Sequence, residues 1–411
     1  METNLAPFIR DTPEGREADS VLRACVHCGF CLATCPTYQL LGDELDGPRG
    51  RIYLMKQVLE GAEPTATTQL HLDRCLTCRA CETTCPSGVQ YGRLVDIGRK
   101  IVDERVGRKP VDAARRYSLQ KSLLSKSVFG TALAVGRFAK GLLPREIGDR
   151  IPAEKPAGTW PAPRHTRKML IARGCVQPSL APNIDAAMAR VLDRIGISAL
   201  QIEAGGCCGA LPYHLNEHDD AREIVRRNID AWWSYVERGA EAIIVTASGC
   251  GVMVKDYGHV MARDRTYADK AAKIGALARD PVEIVAAAWE QIATKIAPFG
   301  SATKLAFHSP CTLQHGMKIR DQVEPVLQAL GFDLTPVADA HLCCGSAGTY
   351  SVLQPELANA LKKNKLRALE AGAPAQIATA NIGCLTHLAS GTRTPVRHWV
   401  EILDERLNAN A

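Results

Sequence analysis

At 411 residues the chain exceeds what one hydrophobic core ordinarily organises, and a hydrophobic content of 46% excludes a disordered polymer. The formal charge is +6, yet residues 99–150 alone carry 13 Lys or Arg against five Asp or Glu. The basic excess therefore belongs to one segment, which argues against a nucleic-acid-binding surface and for a docking face, a membrane contact or a solvated helix.

The opening residues METNLAPFIRDTPEGREADS are polar and lack the apolar run and small-residue cleavage site of a secretory signal, so a cytoplasmic protein is expected. The longest apolar runs, such as Leu123 to Val135, are short and interrupted by Lys126, and a spanning helix is not expected. In a reducing compartment 16 cysteines point to metal ligation rather than to disulfides.

Cys25, Cys28, Cys31 and Cys35 lie in CVHCGFCLATCP, and Cys75, Cys78, Cys81 and Cys85 lie in CLTCRACETTCP, offset by 50 residues throughout. Each is a C-x2-C-x2-C-x3-C-P run, in which three close cysteines wrap one corner of a [4Fe-4S] cubane and the fourth serves the neighbouring cluster. That rule assigns Cys25, Cys28, Cys31 and Cys85 to one cluster and Cys75, Cys78, Cys81 and Cys35 to the other. Structural zinc, the alternative, usually joins two C-x2-C units over a longer spacer and does not require the duplicated third and fourth cysteines.

Between the motifs, Gly47, Pro48 and Gly50 mark a turn, and Ile52, Leu54, Met55, Val58 and Leu59 predict one apolar helix face. An α-helical ferredoxin-like domain over 1–110 is expected. Next, 111–167 reads as a basic helical segment, amphipathic over Leu119 to Leu143 with Lys121, Lys126, Arg137 and Lys140, followed by a Pro-rich linker from Pro144 to Lys168.

The remaining eight cysteines repeat in tandem, as Cys175, Cys207, Cys208 and Cys250, then Cys311, Cys343, Cys344 and Cys384. The first cysteine precedes the Cys-Cys-Gly by 32 residues in both copies, and the last follows by 42 and then 40. Each copy opens on a short apolar strand (KMLIARGC, KLAFHSPC) and has another strand ending in cysteine (AIIVTASGC, QIATANIGC). Strands alternating with helices predict two parallel-sheet α/β domains, over 168–295 and 302–411, with their cysteines in the crevice at the strand carboxyl ends. Gly205, Gly206, Gly209, Gly345 and Gly348 supply the backbone freedom that paired cysteines need. Two matching sets are more than buried-thiol packing explains; they mark a cluster or redox site. His27, His308, His315, His341 and His387 lie near these cysteines, where local hydrogen bonding is the ordinary role of histidine and iron ligation or proton transfer the alternative.

Taken together, RACVHCGFCLATCPTYQLLGDELDGPRGR, TASGCG, FHSPCTLQH, HLCCGSAGTYSVL and TANIGCLTHLASG resemble the iron–sulfur subunits of bacterial glycolate oxidases, essentially end to end. The resemblance implies an electron-transfer subunit of a complex whose separate FAD-binding subunits oxidise glycolate, and often D-lactate, to the 2-oxo acid. A membrane quinone is the implied acceptor. Related subunits serve glycerol-3-phosphate and lactate oxidation. Heterodisulfide reductase subunits usually end each Cys-Cys-Gly repeat in C-x2-C; Met253 and His387 stand there instead, so each repeat would hold a four-ligand cluster or none. The chain has no G-x-G-x-x-G opening a helix after a strand, which removes the common dinucleotide fingerprint. A thiol enzyme cycling Cys207-Cys208 and Cys343-Cys344 as dithiols is the rival reading.

Overall fold

A computed structural model describes residues 1–142, 152–296 and 302–408. Leu143 and the 144–151 part of the expected linker lie outside the described residues.

The N-terminal region is helical. Pro13–Ala24 begins at Thr12, whose hydroxyl accepts the Gly15 N–H, with Pro13 at its first position. Pro48–Leu59 likewise starts on a proline, and of the predicted apolar face Ile52, Met55, Val58 and Leu59 are buried while Leu54 is half-buried. These two helices pack with Tyr91–Val106 around Leu22, Met55, Leu94 and Val95, all with essentially no exposure. The packing is close enough that a Cβ at Gly98 would lie 2.5 Å from the Met55 sulfur.

The single helix expected over Leu119 to Leu143 is two helices. Pro110–Leu124 ends where Ser125 takes an extended conformation, and the Ser125 hydroxyl accepts the Val128 N–H to start Lys126–Phe138. A side chain able to cap competes with helix continuation, and here it wins. Much of the segment's positive charge is satisfied internally: Arg108 pairs with Asp73 and Asp103, Arg116 with Asp73 and Asp112, and Lys121 with Asp220.

Each repeat is a four-stranded parallel sheet. The first comprises β1 (Arg167–Ile171), β2 (Ile197–Gln201), β3 (Ile243–Ile244) and β4 (Ala278–Arg279), in the order β2-β1-β3-β4. The second comprises β5 (Thr303–His308), β6 (Phe332–Leu334), β7 (Gln376–Thr379) and β8 (Val396–His398), in the order β6-β5-β7-β8. Identical orders confirm the duplication, and the α-plus-α/β class is as expected.

The repeats share one core. Helix Asn183–Arg194 of the first packs on Trp399–Asn408 of the second, bringing Met188, Leu192, Trp399 and Leu403 together at no measurable exposure. The Arg190 guanidinium meets Asp404 at 2.7 Å along the seam. Trp160, in the linker, donates to the Ala199 carbonyl at 3.3 Å and packs against the same core. No helix among the described residues is long and apolar enough to cross a membrane.

Candidate iron–sulfur sites

The two N-terminal motifs are built alike. Cys25 ends helix Pro13–Ala24; the chain then passes through His27 and Gly29 at φ of 58° and 85°. In the second motif Thr77 and Arg79 occupy the same two positions at φ of 52° and 60°. Two left-handed residues in each copy curl the chain so that three cysteines surround one space, and only one of the four is the glycine that adopts this conformation freely. After each fourth cysteine a proline redirects the chain; Cys35 directly precedes the helix Pro36–Leu41.

Two cavities result. One, of about 430 Å³, is lined by Cys25, Cys28, Cys31 and Cys85, with Cys81 also on its wall. The other, of about 310 Å³, is lined by Cys35, Cys75, Cys78 and Cys81. Cys35 and Cys85 thus line the cavity of the opposite motif, and Cys81 borders both. Four thiols around one space fit an iron–sulfur cluster by donor type and number. Electrostatics agree: burial, and then the neighbouring Cys25, push the Cys31 thiol up to about 11. Cys78 and Cys81 are pushed well above the ordinary thiol value by burial and by adjoining sulfurs. Such a group ionises favourably only against a cation in the cavity.

The surroundings of the two cavities differ. Cys28 is exposed, and Val26 and Phe30 beside it are 68% and 62% exposed. At the other cavity, Tyr91 donates its hydroxyl to Cys75 Sγ at 3.6 Å and the Thr77 N–H reaches the same sulfur at 3.4 Å. Arg51, 1% exposed, donates to the His71 carbonyl at 2.7 Å and pairs with Asp46 at 3.4 Å; Asp46 also meets Arg74 at 2.8 Å. Burial works against the Arg51 charge, but Cys75, Tyr91, Cys35 and Asp46 hold its pKa above the ordinary arginine value. Arg51 was not among the residues singled out from the sequence; it shares its helix with two other cations, Arg49 and Lys56.

In the repeats, Gly209 and Gly345 adopt φ of 94° and 90° after the cysteine pairs, and their N–H groups donate to Cys207 Sγ and Cys343 Sγ, each at 3.4 Å. Cys250 and Cys384 sit in the first turns of the helices Ser248–Lys255 and Ile382–Ala389, which follow β3 and β7. The four cysteines of each copy therefore converge beyond the strand carboxyl ends. Cys175, Cys208 and Cys250 line a cavity of about 410 Å³ in the first repeat. In the second, Cys311 and Cys343 approach to 3.7 Å and pack with Cys78, Leu76 and Tyr350. The second repeat therefore adjoins the cavity formed by Cys35, Cys75, Cys78 and Cys81.

Of the five histidines, His315 hydrogen-bonds to Thr83 and to the His341 carbonyl, and His387 to the Ala358 carbonyl at 3.3 Å. Burial lowers the pKa of His27 and His341. His308 alone of the five joins a group of thiols, with Cys344 and Cys384.

Comparison with known proteins agrees with this layout. Residues 21–89 match the 4Fe-4S dicluster domain family, and residues 170–255 and 305–389 match the Cysteine-rich domain family. The chain is 55% identical over 99% of both lengths to the glycolate oxidase iron-sulfur subunit of Escherichia coli strain K12. It is 27% identical to a probable glycolate oxidase iron-sulfur subunit of Bacillus subtilis strain 168, across 92% of this chain and 90% of that one. Lactate utilization protein A of the same Bacillus strain is 24% identical, matching 56% of this chain and 97% of its own.

Proposed function

The chain belongs to the family of glycolate oxidase iron–sulfur subunits, and on that premise we propose that it conducts electrons from FAD-bearing partner subunits, which oxidise glycolate and D-lactate to the 2-oxo acids, towards a membrane quinone. The observation that carries this reading is the pair of four-cysteine cavities sharing Cys81. Cys25, Cys28, Cys31 and Cys85 would hold one [4Fe-4S] cluster, and Cys75, Cys78, Cys81 and Cys35 the other, in the crossed arrangement. Bound there, the clusters would supply one-electron steps suited to draining a two-electron flavin. The protein's part is to hold them side by side: a shared Cys81 wall keeps the two cavities adjacent, and Arg51 sets a buried positive charge beside the inner one.

The rim formed by Val26, Cys28 and Phe30 is the proposed docking edge for a flavin subunit, because it leaves a ligand sulfur at the surface with an apolar border. Val128, Val135 and Phe138, all more than half exposed on Lys126–Phe138, are proposed to rest on the cytoplasmic membrane face near the quinone. The cavity bordered by Cys175, Cys208 and Cys250 is the proposed place for a further cluster. On this reading the parts are a two-cluster domain at 1–110, a basic segment and linker at 111–167, and repeats at 168–295 and 302–411.

The test is anaerobic: the purified chain is mixed with its flavin subunits and glycolate, and its visible iron–sulfur absorbance is followed. Bleaching that requires both additions supports the proposal. Bleaching with a different hydroxy acid but never with glycolate or D-lactate would overturn the substrate assignment, and no bleaching with any flavoprotein would overturn the relay.

A further inference from the structure

The two repeats share topology but not ligand sets. In the aligned strands KMLIARGC and KLAFHSPC, His308 takes the place of Ala172. Ala172 borders the first repeat's cavity together with Cys175, Cys208 and Cys250. In the second repeat the His308 imidazole, Cys344 Sγ and Cys384 Sγ all lie within 4.8 Å of one another. All three residues are buried, at 2%, 1% and 4% exposure. His308 Nε2 has no hydrogen-bond partner among the described residues. An imidazole nitrogen buried without a partner is destabilising, and a ligand that accepts its lone pair removes that cost.

We propose that the second repeat binds a single zinc-type ion on His308, Cys344 and Cys384. A tetrahedral ion with bonds of about 2.0–2.3 Å holds its ligand atoms close to one another, and the observed grouping needs little contraction to reach that geometry. A cubane places each thiolate on a different iron and spreads the sulfurs wider. The mixture of imidazole and thiolate selects zinc over hard cations. Binding displaces one proton from each of the two thiols, while the imidazole contributes its lone pair. Cys343, next to Cys344 in the chain, lies outside this grouping with its sulfur against Cys311, and would have to turn inward to supply a fourth ligand. The surrounding shell is already in place: Asn381 Nδ2 donates to Cys384 Sγ at 3.4 Å, and the Gly249 N–H, from the first repeat, holds Asn381 Oδ1 at 3.2 Å. A zinc ion there carries no electrons, so the second repeat would brace the wall behind Cys78 rather than extend the relay.

The experiment uses the full chain prepared without oxygen, with zinc, iron and sulfide counted and the zinc K-edge absorption recorded. The expected result is one zinc per chain with a mixed sulfur and nitrogen shell. His308→Leu should lose the zinc and keep the N-terminal iron, and His308→Cys should restore the zinc with an all-sulfur shell. Zinc absent from wild type, or bound equally by His308→Leu, overturns the proposal, as does iron lost in proportion on changing Cys344 and Cys384 but unaffected at His308. Because the N-terminal iron is counted separately, failure here is distinguishable from failure of the two-cluster reading. Should His308→Leu not fold, the shell recorded on wild type and on His308→Cys still decides.

Discussion

Thr83 Oγ1 and His315 Nδ1 hydrogen-bond at 2.8 Å across the boundary between the N-terminal domain and the second repeat. Thr83 lies between Cys81 and Cys85, and His315 four residues after Cys311, so the bond ties two cysteine sites together. The other His315 nitrogen is engaged by the His341 carbonyl at 2.9 Å, and burial lowers its pKa, which keeps the ring neutral at physiological pH.

Thr83→Val keeps the side chain's shape and deletes this bond. A net loss of about 1 kcal/mol is expected. Low-temperature EPR should show a changed signal from the inner cluster, the one beside Cys78, with the outer cluster's signal intact. Equal disturbance of both signals, or of neither, would count against the contact as a link between these sites.

Arg51→Gln removes a buried cation that pairs with Asp46 and lies close to Cys75 and Cys35. Asp46 retains Arg74 and His71, which soften but do not replace the loss. A destabilisation of about 3–5 kcal/mol is typical when one partner of a buried pair is removed. Less positive charge beside the inner cluster disfavours its reduced form, so a redox titration should find that cluster's potential lowered. An unchanged or raised potential would contradict the role given to Arg51.

Asp185 supplies a pH signature away from the N-terminal cysteines, behind Gln177 and Thr246 on the wall of the first repeat's cavity. Its Oδ1 accepts from Gln177 Nε2 at 2.7 Å and from Thr246 Oγ1 at 2.6 Å, yet burial pushes its pKa up to about 7, with Arg173 opposing weakly. A carboxyl raised above its unfolded value binds more protons in the native state. Its stabilising effect is therefore full below about pH 4 and is lost as pH rises through about 7. Denaturant titrations should show wild type losing roughly 1 kcal/mol relative to Asp185→Asn between pH 6 and 8.5. Parallel pH profiles for the two proteins would refute this.

Much of the layout was legible in the sequence because it is duplicated. The 50-residue offset of the N-terminal cysteines became two matching left-handed loops, and the spacing of the Cys-Cys-Gly repeats became two sheets of one strand order. Local chemistry was harder to read. Ser125 splits an expected helix because a hydroxyl can cap as well as continue, and hydrophobic period does not register the choice. Arg51 is enclosed only by tertiary packing, and nothing in its local sequence separates it from the less buried Arg49 and Lys56 of the same helix. The proximity of Cys78 to Cys311 and Cys343 joins residues more than 200 positions apart, which no local pattern encodes. The substitution of His308 for Ala172 was visible once the repeats were aligned, but its meaning came only with the position of Cys344 and Cys384.

The crossed arrangement of the eight N-terminal cysteines is tested most directly by counting iron in two double variants. If Cys85 completes the site of Cys28, then Cys28→Ser with Cys85→Ser damages one site only, and about four irons should remain in the N-terminal domain. Cys28→Ser with Cys35→Ser damages both sites and should leave almost none. The reverse outcome, iron retained in the second variant and lost in the first, would mean that each motif holds its own cluster and would contradict the account.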